Sequence, residues 1–354
     1  MTGQRRAAVV GTGLIGGSIG LALRARGWHV TGTDRDAARA ARALELGALD
    51  EVGVDPHAEI TFLATPVQAV PTAAAEALAA SSGVVTDVGS VKASITAAVD
   101  SPRFVGGHPM AGSEQDGVDG ADPDLFAGAV WVLTPTADTD DRAYALVRSV
   151  VRELGAEVVA LAPDHHDALV AVVSHVPHLT AASLMHLADE AATEHRALLR
   201  LAAGGFRDMT RIAAGHPGIW PDICAENRDA IVEVLDGLVA ALGSVRDVVA
   251  AGDRPGLLAL LERARAARVN LPARVVRPGE LCEVRVPVPD RAGVLAEVTT
   301  LAGRLGVNIA DLEIAHSAEG DRGVLLLLVD VDAAERLRAE LAEAGYRPAV
   351  APLE

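Results

Sequence analysis

Apolar residues follow two alternating rhythms over the first 160 positions. Short β-branched runs at Ala7–Val10, His29–Thr33, Ile60–Ala64, Val84–Asp87, Phe104–Gly106 and Val130–Leu133 are bounded by Gly, Asp or Pro and predict strands. Between them, Ala-rich stretches such as Ile15–Arg26, Ala37–Leu46 and Val70–Ala80 carry helical spacing. This alternation predicts βαβ units on a mainly parallel sheet.

The rhythm changes after Pro163. From Asp164 to about Arg268 the spacing is helical throughout, and Pro177, Pro217, Pro221 and Pro255 predict several helices rather than one. Leu271–Glu280 reads as a linker. Beyond it Cys282, Val284, Val286 and Val288 alternate with more polar residues, as in a half-buried strand. Arg291–Leu305 reads as a helix. Val307–Ala310, Gly323–Val331, Ala333–Gly345 and Pro348–Pro352 then read as strand, strand, helix, strand, a compact α+β ferredoxin-like βαββαβ unit. The expected organisation is a Rossmann-type α/β nucleotide-binding domain at 1–162, an all-α substrate and dimerisation domain at 163–270, a linker at 271–280 and a regulatory domain at 281–354.

Composition narrows the partners. The chain of 354 residues has a formal net charge of −17, which disfavours nucleic acid and anionic membranes. Aromatics make up 3%, so Ala, Val and Leu fill the cores. Cys224 and Cys282 are too far apart in sequence to suggest a disulfide framework or a metal knuckle. The amino terminus runs at once into the first strand, leaving no room for a signal peptide. No uninterrupted apolar run approaches the roughly 20 residues of a membrane span. A cytoplasmic protein is expected.

The strand at Ala7–Val10 leads into Gly11-Thr12-Gly13-Leu14-Ile15-Gly16, a G-x-G-x-x-G turn before a helix. Gly11 suits the tight turn, Gly13 lets backbone approach a pyrophosphate, and Gly16 permits close helix packing. Asp34, at the end of the next strand, suits ribose hydroxyls and repels a 2′-phosphate, so NAD is expected over NADP. Arg35 beside it is the residue that could serve a phosphate. Thr12, Leu14, Ile15 and Thr65 are assigned to the same cofactor site.

The chemistry is expected around Gly106-Gly107-His108-Pro109, read as a loop that holds a titratable imidazole at the end of a sheet strand. Ser90, in Asp87-Val88-Gly89-Ser90-Val91-Lys92, follows the preceding strand and could exchange a hydrogen bond with a substrate hydroxyl; as a lone residue it reads as a helix cap. Asp167, Ser174 and His178 recur at separations that return to one helical face. His165, His166, His175 and His178 are a weak metal pattern, and no metal is expected. Gly204–Arg211, with Trp220 beyond it, offers an arginine suited to a carboxylate.

Together and in this order, Gly11–Ser18, Asp87–Lys92, Gly106–Glu114, Ser174–His178 and Gly204–Ala213 followed by Trp220 resemble the prephenate dehydrogenase family, which includes arogenate and cyclohexadienyl dehydrogenases. The resemblance covers nearly all of residues 7–270. The last unit resembles an ACT domain, with Pro289–Leu295 at its first strand-to-helix turn. The family implies NAD-dependent oxidative decarboxylation of prephenate to 4-hydroxyphenylpyruvate, with His108 as catalytic base and Ser90 beside it. It implies substrate contacts from Arg211, from His178 with Asp167 behind it, and from Trp220, with Ser113 and Glu114 lining or gating the pocket. The ACT resemblance implies an amino-acid effector, tyrosine being expected, at Asp290, Gly293 and Asn308. A homodimer is expected. Arogenate as substrate stays open, as does a non-catalytic nucleotide and amino-acid sensor.

Overall fold

The computed structural model describes residues 4–113, 115–194, 201–270, 281–289, 291, 293–316 and 322–352. The chain divides into two compact units, 1–261 and 262–354.

In the first unit, strands β1 (Arg6–Val10), β2 (His29–Thr33), β3 (Glu51–Val52), β4 (Ile60–Leu63), β5 (Val84–Asp87), β6 (Phe104–Pro109), β7 (Val130–Thr134) and β8 (Glu157–Ala160) form one sheet in the order β3-β2-β1-β4-β5-β6-β7-β8. All neighbours pair in parallel except β6 with β7. The first six strands follow the Rossmann order, whose reversal between β1 and β4 opens a crevice at the carboxyl ends of the strands. Helices α1 (Leu14–Ala25), α2 (Ala37–Glu45), α3 (Val70–Ala80), α4 (Ala93–Ala98) and α5 (Asp141–Glu153) connect the strands. One core cluster joins Val9, Ile19, Leu23, Phe62, Trp131 and Val147; a second joins Leu63, Val67, Val85, Val91, Phe104 and Ile223.

Strands β3 and β8 were not among the expected strands, and helices α4 and α5 were not singled out by the pattern. β3 has two residues and β8 four, too few to register as a period. α5 is legible in retrospect: Asp140 caps it by accepting from the Arg142 and Ala143 amides, and Ala143, Val147, Val150 and Val151 form its buried stripe.

His108 is a correction. It lies in β6, not in a loop, because Gly106-Gly107-His108-Pro109 pairs antiparallel with Trp131–Thr134. The glycines permit that close pairing instead of a turn. A Cβ on Gly106 would lie 2.4 Å from Thr134 Oγ1, and one on Gly107 would lie 2.7 Å from the Asp87 carbonyl oxygen. Pro109 is tolerated at the last position of the strand.

The helical segment holds α6 (Pro163–Val170), a π turn (Ala171–His175), α7 (Val176–Glu194), α8 (Gly204–Thr210), a 3₁₀ turn (Arg211–Ala214), α9 (Trp220–Glu226), α10 (Arg228–Ala250) and α11 (Arg254–Val269). Pro177 does not separate helices as expected. The helix runs continuously from Pro163 to Ala192, with the wider π turn just before the proline that cannot donate a backbone bond. By length and composition this run could cross a membrane, with mean hydropathy 1.5 over its best window. Averaged hydropathy registers what a search for uninterrupted apolar runs passes over. Within the protein its inner side carries buried polar groups, His166, Asp167 and His175.

In the second unit, β9 (Leu281–Pro289), α12 (Val294–Arg304), β10 (Ile309–His316), β11 (Arg322–Asp330), α13 (Val331–Glu343) and β12 (Ala349–Pro352) follow the order βαββαβ. The four strands make an antiparallel sheet, β10-β11-β9-β12. Val284, Val286, Leu325, Leu327, Leu337 and Leu341 fill its core. Gly293 takes φ of 88° at the start of α12, where a side chain would be strained, and Asn308 is exposed just before β10. Asp290 lies outside the described residues.

Candidate functional site

The carboxyl ends of β1, β4, β5 and β6 lie side by side, and each delivers a distinct group. After β1, Gly11 turns with φ of 92°, and a Cβ there would lie 2.4 Å from the Ala64 carbonyl oxygen. A Cβ on Gly16 would fall 1.9 Å from the Gly11 carbonyl oxygen, so helix and turn pack without room for a side chain. Gly13, at the head of α1, has open space instead. Asp34 accepts from the Thr12 backbone N–H at 2.8 Å and from its hydroxyl at 3.2 Å, which ties the end of β2 to the turn. The Thr65 hydroxyl, after β4, is buried and lacks a partner among the described residues. Leu14 and Ile15 begin α1, and Arg35 is exposed. A tight turn, an unobstructed helix N-terminus, a carboxylate and an orphaned hydroxyl fit a dinucleotide.

β5 ends in a buried ion pair. Lys92 Nζ contacts Asp87 Oδ2 and donates to the Gly107 carbonyl at 2.8 Å, while Asp87 accepts from the Gly89 and Gly107 amides. Lys92 and Asp87 are both 0% exposed. Burial pushes the Lys92 ammonium down, with the attraction of Asp87 opposing it. The pair clamps the strand that carries the next residue, His108.

His108 is buried, and its Nδ1 lies 2.8 Å from His166 Nε2. His166 Nδ1 in turn lies 2.7 Å from Asp167 Oδ1. Burial pushes His108 well below the ordinary histidine range, and the electrostatic influence of His166, Lys92 and His175 adds to this. Asp167 also accepts the Lys92 and Ala93 amides, at 2.8 and 2.9 Å, and so caps α4 from another part of the chain.

Asp167 was expected behind His178; it serves His166 and α4 instead. It is 5% exposed with three donors around it, and the π turn shifts the helical face on which the 167, 174 and 178 spacing depended. His178 stacks on Trp220, with ring centroids 3.7 Å apart and planes 14° apart. Burial lowers its pKa. His175, not Ser174, turns inward.

His175 Nδ1 lies 3.1 Å from Asn227 Nδ2, which also donates to the Asp167 carbonyl at 2.8 Å. The amide donates to Nδ1, so His175 Nε2 carries the proton, and it has no partner among the described residues. Burial pushes His175 down to about 4. Lys92, His166, His175 and Asn227 are the residues that sequence reasoning left without a role. A buried polar group on an otherwise apolar spacing was the available signal.

Two family models divide the first unit between them. "Prephenate dehydrogenase, nucleotide-binding domain" matches residues 19–160, and "Prephenate dehydrogenase, dimerization domain" matches 162–263. The chain belongs to the prephenate dehydrogenase family. It is 34% identical to the prephenate dehydrogenase of Bacillus subtilis over 352 residues, 94% of each chain. The solved prephenate dehydrogenase of A. aeolicus, in complex with hydroxyphenyl propionate and NAD+, superposes with a TM-score of 0.71 at 30% identity, covering 75% of this chain and 98% of that one. The Synechocystis arogenate dehydrogenase gives 0.64 at 33%, covering 74% and 98%.

In this prephenate dehydrogenase-family chain, Ser113 and Arg211 lie toward solvent. Ser90 is half-buried after β5, and its hydroxyl makes no hydrogen bond among the described residues; the backbone, not Ser90, leads into α4. Ser113 is exposed and accepts the Gln115 amide, and Glu114 lies outside the described residues. Arg211 is exposed at the start of its 3₁₀ turn, which packs against α7, the helix carrying His178. No group of His, Cys, Asp and Glu among the described residues is arranged to hold a metal.

Proposed function

We propose that this enzyme oxidatively decarboxylates prephenate to 4-hydroxyphenylpyruvate with NAD. The observation that carries the reading is His108, a buried imidazole with Nδ1 engaged by His166, one strand-end from Ser90 and in the same row of ends as the glycine turn. NAD, when bound, takes the hydride from the carbinol carbon of the substrate. His108 Nε2 accepts the hydroxyl proton, and loss of CO2 makes the ring aromatic, which supplies much of the driving force. The protein therefore has to position the ring and accept one proton.

Ser90 orients the hydroxyl beside His108. Arg211 binds a substrate carboxylate, and His178 and Trp220 hold the ring from the helical side. The orphaned His175 N–H offers a further donor to a substrate oxygen. Ser113 lines or gates the pocket, the role that the family resemblance also assigns to Glu114. Asp34 favours NAD over NADP.

Arogenate differs only in the side chain remote from the carbinol, and likeness to the Synechocystis arogenate dehydrogenase keeps it as the second reading. NADH formation with prephenate and with arogenate, each with NAD and NADP, tests the assignment. Prephenate with NAD should turn over fastest.

Around the core reaction, the βαββαβ unit is read as a ferredoxin-like ACT domain that binds tyrosine near Asp290, Gly293 and Asn308 and lowers activity. The enzyme is read as a cytoplasmic homodimer. Val239, Leu242, Val249, Leu258 and Leu261 are each more than half exposed on α10 and α11, an apolar surface that a second copy would cover.

A further inference from the structure

The hydrogen bonds behind His108 run in one direction. A carboxylate only accepts, so the proton between Asp167 and His166 belongs to His166 Nδ1. His166 Nε2 is then a lone pair, and it too can only accept. The proton between the two imidazoles therefore belongs to His108 Nδ1, which leaves His108 Nε2 as the basic nitrogen. His108, His166 and Asp167 are 8%, 0% and 5% exposed, so little water competes to reverse the order. Asp167 cannot turn away either, because both its oxygens also hold backbone amides at the head of α4.

We propose that His166 is a positioning residue for the reaction: the chain Asp167–His166–His108 fixes the tautomer that keeps His108 Nε2 free and steadies the imidazolium formed there. The inference rests on the reading of His108 as the base. As the substrate O–H bond breaks, an N–H bond forms at His108 Nε2, and the hydride leaves with NAD. The new positive charge faces the His166 lone pair, whose ring is held from behind by the carboxylate. Loss of the Nε2 proton to solvent restores the starting tautomer. An aspartate that orients a single histidine follows the same logic; here a second imidazole extends its reach. The other titratable groups around His108 are Lys92 at the head of α4, with its partner Asp87 on β5, and His175 on the π turn.

The test uses the full-length enzyme and its His166→Ala, His166→Gln and His108→Asn variants. His166→Ala should lower kcat by roughly 10–10³-fold, with KM for prephenate and Kd for NAD within about twofold of wild type. The acid limb of its kcat/KM profile should shift, because the group that faces the charge taken up by His108 is gone. His166→Gln, whose amide oxygen can accept from His108 Nδ1, should recover part of kcat. In ¹⁵N-histidine spectra the wild-type enzyme should show His108 protonated at Nδ1. If both His166 variants keep wild-type kcat and acid limb while His108→Asn is inactive, the relay is wrong and the base stands. A wild-type spectrum with the proton on Nε2 overturns the relay even where a variant misfolds. Activity surviving in His108→Asn removes the base, and the relay with it.

Discussion

The indole of Trp220 lies flat on the imidazole of His178, with centroids 3.7 Å apart, while the ring of His175 meets the same indole edge-on at 6.1 Å. Trp220 also packs against the cluster of Leu63, Val67 and Ile223, below the end of β4. One side chain thus joins the histidines of the helical segment to the sheet that carries the cofactor turn. Trp220→Ala should raise KM for prephenate by roughly 10-fold and cost about 2 kcal/mol of stability, less than a fully buried tryptophan. Trp220→Phe should keep most of both. Steady-state kinetics and denaturant melts of the two variants measure this; equal kinetics for both would remove the stack from substrate binding.

The glycines of the first turn separate folding from cofactor binding. A Cβ on Gly16 collides with the Gly11 carbonyl, whereas one on Gly13 meets only open space. Gly16→Val should therefore lower the melting temperature of the apo enzyme by several degrees, an effect on the order of 1–3 kcal/mol. Gly13→Val should leave the apo melting temperature alone and weaken NAD binding by roughly 10-fold or more, since it fills the approach to the pyrophosphate. Cofactor titration and melting curves on each variant read the two effects apart.

The Lys92–Asp87 pair is fully buried and anchors Gly107 next to His108. Lys92→Met leaves the Asp87 carboxylate buried without its cation and should cost about 3–5 kcal/mol. The double variant Lys92→Met/Asp87→Asn removes both charges and should recover a large share of that loss. Chemical denaturation gives the comparison. Equal instability in the single and double variants would show that packing, not the uncompensated charge, sets the cost.

The alternation of strands and helices and the candidate cofactor turn were legible because they rest on local periods and on Gly spacing, as at Ala7–Gly16. The candidate imidazole was legible too, since His108 stands in a distinctive Gly-Gly-His-Pro run. Its partner was not. His166 and Asp167 act on β6 and α4 across some 60 to 75 residues of sequence, a relation that no local period encodes. The helical spacing pointed instead to Asp167 with His178, and the π turn between them broke that alignment. The glycines at 106 and 107 misled in the same way. They suggest a loop in sequence, and only the neighbouring strand reveals that they exist for a close approach.

Acid should destabilise this fold before most carboxylates titrate. His175 is pushed by burial to about 4, and His108 is also held well below its ordinary value of 6.5. In the unfolded chain both protonate near pH ~6.5, while in the folded protein they stay neutral. Below that pH the unfolded state binds more protons, so folding stability falls as pH falls from about 6.5 toward 4. Above pH ~7 the two groups are neutral in both states and contribute no slope. The melting temperature should therefore be flat from pH 7 to 8 and fall steadily between pH 6.5 and 4. His175→Gln, whose amide can still meet Asn227, should shallow that fall without changing the plateau. An acid slope that is the same in the variant would assign the sensitivity to other groups.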